Sequence, residues 1–568
     1  MLKDKKWSSE TDDALSARLG QFQEEALRAF EGREAEAVIA ITRVLDFTTV
    51  SALWRYSGQA NPARAQKVNP MVLLKGCAPA LRPFLAATKF QGGGLPFGPS
   101  DPVQTDFAYS YLNACGSLTF LRRMAALERF GLASTEKITS DHYRITVSAG
   151  VPEEASRYLR SMLAEERKTF LSTRKRKYWN KLHARMKKYV QPSDDWFIRY
   201  DNDWPIVEAY RENARLFSRS FPEGEAFPDE TPIGDRTFGD WKEACNQALG
   251  RILTHIDFAM FLHNKKPSIA LDNVLTIFIR RDDAEAVWEE AGLPPSQIRA
   301  TMRALTLEHE DLDGWEQAFE VPTVFYIGIG KNFLLLPCFG ALLNSYFALF
   351  RHLRDRYRVD WDRAVDNREA VFRASLGELF SHSRYLVPDH GFKLRRESGS
   401  VITDIDAVIV DRETGDLALV QLKWHDVFGF SLKERESRRK NIEKANEWVK
   451  RVVSWIDGRS SQEVAAGLGI EGTLSRRPPV LYVIARYEAR FSGDHVYDDR
   501  ACWLGWPEMQ AVYTHLLSGA DSPLLEIPVR VKEGESYFHE PEFLSRDFKF
   551  PNLTVTLDYP SYPSDSGE

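Results

Sequence analysis

The sequence predicts a multidomain α+β protein in which a mainly helical N-terminal region precedes a mixed α/β core. Its 568 residues exceed the length of one ordinary domain, for which about 150 residues is typical. Apolar residues recur at helical spacing in residues 11–58, 237–264 and 340–357, whereas residues 402–424 alternate apolar and polar side chains as β-strands do. We therefore expect several domains, with the β-containing core toward the C-terminal end.

Four units are predicted along the chain. They are a mainly helical N-terminal region (1–150), a helical accessory domain (151–358), an α/β core (359–535) and a C-terminal tail (536–568). The second unit also contains a predicted β-hairpin near residues 323–338, because two apolar runs flank the turn sequence GIGKN. The tail loses apolar periodicity and is expected to fray.

A basic stretch within the second unit allows two interpretations. Residues 167–189 interleave cations with Phe170, Tyr178, Trp179 and Tyr189. Such a pattern can follow a phosphate backbone and stack on bases. It is also typical of a solvated helix whose aromatic residues face the core, and the sequence slightly favours this second interpretation.

The most informative segment is ITDIDAVIVDRETGDLALVQLKW, residues 402–424. Two alternating strands flank a polar turn that contains Gly415, which predicts a hairpin. If Asp411 faces Asp416, then Asp406 faces Gln421 and Asp404 faces Lys423, and opposed residues share one face of the sheet. A bulge in the turn would shift this register and separate the four polar groups.

Asp406, followed after one hairpin by Gln421-Leu422-Lys423, resembles the signature of the PD-(D/E)xK nucleases. Gln421 departs from the usual carboxylate, and the QxK tripeptide is similar to that of the Mrr-type restriction branch. The resemblance covers residues 361–490 and does not extend to residues 1–350. It implies a restriction-endonuclease-like core with the order helix, hairpin or meander, helix, strand.

The resemblance also implies roles for the residues of the motif. Asp406, the side-chain oxygen of Gln421 and the backbone carbonyl of Leu422 would bind Mg²⁺ or Mn²⁺, and Asp404 would add negative charge. Lys423 would either deprotonate the attacking water or act as a positioned cation. His425 lies on the same strand face as Lys423, although a structural role is favoured for it.

A helix over residues 361–382 offers one more acidic ligand. Glu369 lies near the apolar stripe of this helix, whereas Glu378 lies on the opposite side. The resemblance implies that Glu369 joins the metal site. The alternative, in which Glu369 only pairs with Arg373 one turn away, is equally supported.

The helix predicted after the hairpin, over residues 432–456, begins with a cluster of basic residues. In the resembled fold it packs beside the site, where its cations would contact phosphates. The interspersed glutamates favour the alternative of a solvated, internally paired face almost as strongly. The cations assigned to nucleic-acid binding are Arg435, Arg438, Arg439, Lys440 and Lys444.

Composition excludes several classes of protein. The net charge of −6 neither requires nor forbids nucleic-acid binding. Five cysteines without CxxC pairing indicate neither a zinc site nor a disulfide framework, which fits the cytoplasm. No apolar run reaches membrane-spanning length, and the glycine-rich residues 92–102 lack the lysine of a nucleotide-binding loop.

The resemblance to the PD-(D/E)xK nucleases implies a metal-dependent nuclease, an endonuclease acting on DNA, in restriction, phage defence or repair. Two alternatives remain open. The nuclease fold could be catalytically degenerate and only bind nucleic acid, or the helical region could make the chain a regulatory or interaction protein. An oligomer or a protein partner is compatible with each of them.

Overall fold

The computed structural model describes residues 9–55, 69–88, 92, 94–148, 176–192, 196–396, 398–426, 431–487, 489–490, 493, 496–516, 520–535 and 542–561. The chain is α+β, with many helices and several small sheets, as predicted. Within these residues no helix combines the length and apolar character needed to cross a membrane.

Helices dominate the part of the chain before residue 359. They are α1 (Glu10–Ala29), α2 (Glu34–Arg55), α3 (Pro70–Lys75), α4 (Cys77–Thr88), α5 (Pro102–Ala126), α6 (Arg176–Tyr189), α7 (Trp204–Ser218), α8 (Phe238–Lys265), α9 (Leu271–Val274), α10 (Arg281–Glu290), α11 (Pro295–Leu305), α12 (Leu312–Ala318), α13 (Phe339–Leu343) and α14 (Phe347–Arg356). The prediction of one continuous helix over residues 340–357 is wrong, because two helices occupy this segment. It breaks into α13 and α14 at Asn344, whose side chain accepts the backbone N–H groups of Tyr346 and Phe347.

Short strands lie among these helices. They are β1 (Ala133–Lys137), β2 (His142–Val147), β3 (Val190–Pro192), β4 (Ile198–Tyr200), β5 (Pro232–Ile233), β6 (Arg236–Thr237), β7 (Ile277–Arg280), β8 (Thr306–Leu307), β9 (Tyr326–Ile329) and β10 (Phe333–Leu336). The hairpin predicted near residues 323–338 is confirmed, because β9 and β10 pair antiparallel with Phe333 opposite Ile329. It forms the centre of a sheet of order β7-β10-β9-β8.

The C-terminal residues form a hairpin and not a frayed tail. Strands β18 (Glu542–Phe550) and β19 (Leu553–Ser561) pair antiparallel. Strand β19 also runs parallel to β2, with Thr554 opposite His142, so the sheet order is β1-β2-β19-β18. Leu553, Val555 and Leu557 are buried in the same hydrophobic cluster as α1, α2, α4 and α5. The expectation of fraying is therefore wrong for residues 542–561.

The segment from residue 358 to 535 forms the α/β core. Its helices are α15 (Arg358–Leu379), α16 (Leu432–Ile456), α17 (Ser461–Leu468), α18 (Trp506–Leu516) and α19 (Pro523–Glu535). Its strands are β11 (Tyr385–Leu386), β12 (Phe392–Arg395), β13 (Val401–Ile405), β14 (Ala407–Asp411), β15 (Leu417–Lys423), β16 (Val480–Ala485) and β17 (Cys502–Gly505).

Five of these strands form a mixed sheet of order β11-β14-β15-β16-β17. β11, β14 and β15 alternate in direction, whereas β15, β16 and β17 are parallel. Helix α16 supplies the crossover between β15 and β16, as a parallel connection requires. Both faces of the sheet are covered, one by α16 and the other by α15 and α18.

The hydrophobic clusters before residue 359 join distant parts of the chain. The cluster around α1 and α5 also includes residues from β8, α12 and β9. The buried carboxylate of Asp46 on α2 accepts hydrogen bonds from the backbone N–H groups of Cys338 and Phe339 and from Thr276. Both sides of the boundary predicted near residue 150 thus contribute to one core.

Candidate active site

The predicted register of the central hairpin is confirmed from Ala407 to Val410. Ala407 lies opposite Val420, Val408 opposite Leu419 and Val410 opposite Leu417, with no bulge. The turn closes through a hydrogen bond of 2.9 Å from Asp411 N to Asp416 O, and Gly415 has a φ of 72°. Glycine suits this left-handed conformation, and a Cβ there would also lie 2.6 Å from the backbone nitrogen of Ser475.

Asp406 lies at the bend between β13 and β14, where the chain passes from one sheet to the next. Its backbone N–H donates to Val420 O at 3.1 Å. Its buried carboxylate accepts the amide Nε2–H of Gln421 and, at 2.8 Å, the backbone N–H of Leu422. Asp406 and Gln421 are therefore in direct contact, as the sequence predicts, and Leu422 reaches the carboxylate through its N–H group.

Arg373 links Glu369 on α15 to the backbone of Asp406. Arg373 donates Nε–H to the carbonyl oxygen of Asp406 and a terminal N–H to Glu369 Oε1 at 2.6 Å. Glu369 therefore pairs with Arg373, as one of the two interpretations predicts, and its part in a metal site stays a prediction. Its negative charge, after burial, is the second cause that raises the pKa of Asp406 from 3.8 to about 6.

Lys423 ends strand β15 on the same side of the sheet as Gln421. Burial lowers the pKa of its ammonium group, and the nearby Lys444 lowers it further, whereas Asp406 and Glu369 oppose the shift. The positive charge of Lys423 in turn stabilises the ionised form of Asp406. These groups lie at the edge where the parallel strands β15, β16 and β17 end, which is where α/β sheets commonly bind ligands.

Asp404 does not face Lys423, and this part of the predicted register is wrong. In strand β13, Asp404 lies opposite Lys393 of β12, in a separate two-stranded sheet. Its side chain is exposed, and its carbonyl oxygen accepts the indole N–H of Trp448 at 2.7 Å. The bend at Asp406 ends the pairing with β15 before Asp404 is reached.

His425 and Asn441 border a small cavity beside Lys423, between α16 and β16. Asn441 Nδ2 lies 3.4 Å from His425 Nδ1. Burial, followed by the charges of Arg438 and Lys423, lowers the pKa of His425 to about 3. The imidazole is thus neutral near pH 7, so it adds no positive charge to the site.

The basic residues of α16 fall into two groups. Arg435 and Arg438 are only 1% and 4% exposed, so their predicted role as surface phosphate contacts is wrong. Arg438 donates to the carbonyl oxygen of Asp426, and Arg435 lies over the ring of Phe130. Arg439, Lys440 and Lys444 are on the accessible side, where Arg439 pairs with Glu443 and Lys440 with Glu436.

The sequence did not indicate a functional role for two arginines that contact the site. Arg373 binds both Glu369 and the backbone of Asp406, and its position four residues after Glu369 is the signal that pointed to the contact. Arg368, 4% exposed, donates to Asp426 at 2.7 Å and to the carbonyl oxygen of Ala226 at 3.1 Å. It therefore links the segment after Lys423 to the helical region, a contact that no local pattern indicates.

The donor set fits a hard divalent cation in part. Asp406 and Glu369 offer two carboxylates, and Gln421 offers an amide oxygen. Burial, followed by the charge of Glu369, raises the pKa of Asp406. In the described part of the chain, no three His, Cys, Asp or Glu side chains gather as a ligand set. The Gln421 amide also points its nitrogen at Asp406, so its oxygen becomes a ligand only after the amide rotates.

No protein-family model, curated protein or solved structure matches this chain.

Proposed function

We propose that this chain is a metal-dependent nuclease of the PD-(D/E)xK type that hydrolyses phosphodiester bonds in DNA. The proposal is carried by the direct contact between Asp406 and Gln421, with Lys423 beyond them, at the carboxyl edge of the sheet. The order helix α15, strands β11, β14 and β15, helix α16 and strand β16 supports it, because the resembled family has a core of this kind.

The electrostatics of Asp406 favour a cation at this position. A buried carboxylate with a raised pKa and a second carboxylate nearby is stabilised when a positive charge binds between them. Asp406 and Glu369, with the Gln421 oxygen after amide rotation, would hold Mg²⁺ or Mn²⁺. Such an ion activates water and stabilises the charge that develops on the phosphate.

The remaining groups have distinct roles in this proposal. Lys423 orients the attacking water and stabilises negative charge on the phosphate, and its lowered pKa also makes proton transfer accessible. Arg373 positions Glu369 and the Asp406 backbone. Lys444 is exposed and close enough to influence Lys423, so it is the α16 cation best placed to contact a flanking phosphate.

Cleavage assays test this proposal directly. The purified chain is incubated with single-stranded, duplex and base-modified DNA in Mg²⁺, Mn²⁺ or chelator. We expect metal-dependent cleavage that falls about 100-fold or more in Asp406→Ala and Lys423→Ala, because each removes a group that acts on the reacting atoms.

Glu369→Ala and Glu378→Ala form a matched pair for the helix contribution. Both glutamates are exposed on α15, but only Glu369 influences Asp406. Cleavage should fall in Glu369→Ala and remain at the wild-type rate in Glu378→Ala. Equal rates in the two variants would remove Glu369 from the site.

A binding-only protein of the same fold is the second candidate. The neutral Gln421, which donates its N–H to Asp406, favours it because the site then carries less negative charge than a metal site usually has. Wild-type protein without cleavage on any substrate, together with cleavage gained by Gln421→Glu, would support this candidate over the first.

A further inference from the structure

Helix α6 presents an aromatic residue and three cations along one side. Tyr178, Lys181, Arg185 and Lys188 are all exposed, and Tyr178 is 51% exposed. At 100° per residue these four positions fall within an arc of about 80°. They extend over about 15 Å of helix, at 1.5 Å per residue. The buried Leu182 and Met186 lie about 80° and 120° around the helix from the centre of this arc, so the cationic side is distinct from the side that packs on the core.

This helix differs from α16 in how its charge is balanced. The α6 sequence RKYWNKLHARMKKY contains no acidic residue. On α16, by contrast, Arg439, Lys440 and Lys450 each have a glutamate three or four residues away. Among the residues that the structure describes, Lys181 and Lys188 make no ion pair. A helix without internal neutralisation keeps its positive potential for an external anion.

An exposed tryptophan follows, in the chain, the aspartate that pairs with this row of cations. Arg185 donates Nε–H to Asp203 at 2.5 Å, and Tyr189 donates its hydroxyl to the same carboxylate at 2.9 Å. The residue after Asp203 is Trp204, which begins α7 and is 68% exposed. The Asp203 contacts therefore hold Trp204 beside the third member of the row. A large exposed aromatic residue at such a place needs an explanation, since tryptophan is usually largely buried.

We propose that Tyr178, Lys181, Arg185, Lys188 and Trp204 form a binding surface for single-stranded nucleic acid. The cations contact successive phosphates, and the two aromatic rings stack on bases, which only an unpaired strand exposes. This surface does not depend on the cleavage proposal, because neither a metal nor Asp406 takes part in it.

Fluorescence anisotropy in chelator measures the binding without cleavage. The full chain is titrated against labelled oligo(dT) and oligo(rU) of about 20 nucleotides, longer than the roughly 4–16 nucleotides that a single-strand-binding OB fold covers, and against a DNA duplex of equal length. The charge variant is Lys181→Glu with Lys188→Glu. Its control is Lys450→Glu with Lys549→Glu, which reverses two exposed lysines elsewhere. Trp204→Ala is compared with Phe543→Ala, an exposed aromatic on β18.

We expect the Lys181/Lys188 double variant to bind the preferred single strand at least tenfold more weakly near 0.1 M salt. The slope of log K against log salt should lose about 1.4, since each single-strand phosphate contact contributes about 0.7. Trp204→Ala should weaken single-strand binding about fivefold or more and leave duplex binding unchanged. The ratio of the affinities for oligo(dT) and oligo(rU) shows whether the surface prefers DNA or RNA.

The full chain with Asp406→Ala should bind like the wild type, which separates this surface from the cleavage site. Wild-type affinity in the Lys181/Lys188 variant, or an equal loss in its control, overturns the proposal. Equal loss of single-strand and duplex binding in Trp204→Ala overturns base stacking and with it the preference for an unpaired strand. Thermal melting confirms that each variant is folded before it is scored.

Discussion

Asp406 is stabilised as a neutral acid in the metal-free protein. Burial is the main reason that its pKa rises to about 6, and the charge of Glu369 adds to the effect. Near pH 7 the folded protein must keep this carboxylate ionised in an unfavourable environment. A shift of this size corresponds to about 3 kcal/mol between the two protonation states.

Asp406→Asn should therefore raise stability at neutral pH while abolishing the proposed cleavage. The amide oxygen can still accept the Gln421 and Leu422 N–H groups, and no charge is buried. Because the folded pKa of Asp406 lies above its unfolded value, the stabilisation by the neutral acid is complete below about pH 4 and is lost as the pH rises through 6.

The melting temperature of Asp406→Asn in chelator should exceed the wild-type value at pH 7.5 and match it near pH 4. The exposed Asp404→Asn is the control, and a lower melting temperature at both pH values would contradict the prediction.

Gln421→Glu should make stability depend on metal. The substitution replaces an amide that donates to Asp406 with a second carboxylate in contact with it, so the metal-free protein should lose about 1–3 kcal/mol. Mn²⁺ or Mg²⁺ should then raise the melting temperature more than it does in the wild type. Gln421→Ala removes the hydrogen bond without adding charge and should show no such gain. A metal response equal to that of the wild type would exclude Gln421 from the cation site.

At the level of elements, the hairpin could be predicted from sequence because two independent signals agree. The alternating apolar residues fix the faces of the strands, and the turn at Gly415 fixes the register. Asp404 could not be placed in this way. Its strand pairs with Phe392–Arg395, and alternation alone does not say which partner a strand has.

The buried arginines of α16 could have been found in the sequence. Arg435 and Arg438 precede Ile442, Ala445 and Val449 at intervals of three and four, so they continue the apolar stripe. Their charge suggests surface positions, but their spacing indicates burial, and the spacing is the more reliable of the two signals here. A buried guanidinium of this kind needs hydrogen-bond partners, which Arg438 finds in the carbonyl oxygen of Asp426.

Arg438→Ala should consequently destabilise the α/β core by about 3 kcal/mol or more, because it removes a buried charged hydrogen bond and leaves a void. Arg439→Ala, one residue along on the accessible side, should change stability by less than about 0.5 kcal/mol, as is usual for an exposed ion pair. Chemical denaturation followed by tryptophan fluorescence measures both. Equal effects would mean that the burial of Arg438 does not contribute to folding.

For the whole molecule, the sequence predicts the order of the helical region and the α/β core, but it does not predict that the two ends of the chain pair with each other. The helical N-terminal region and the later α/β core follow from local periodicity. The pairing of β19 with β2 joins residues more than 400 positions apart, and no local pattern encodes such a contact. The Asp46 contacts with Cys338 and Phe339 are of the same kind.

The C-terminal hairpin should therefore be required for the stability of the N-terminal region. Val555 is fully buried against the N-terminal helices, whereas Ser545 is exposed on the edge strand β18 of the same hairpin. Val555→Asp buries an unpaired carboxylate and should lower stability by several kcal/mol, whereas Ser545→Asp should have little effect. Thermal melting measures the loss, and limited proteolysis with mass spectrometry locates it. New cleavage should appear within residues 10–148 in Val555→Asp. Cleavage confined to residues 542–561 would show that the hairpin unfolds alone and that the N-terminal helices do not depend on it.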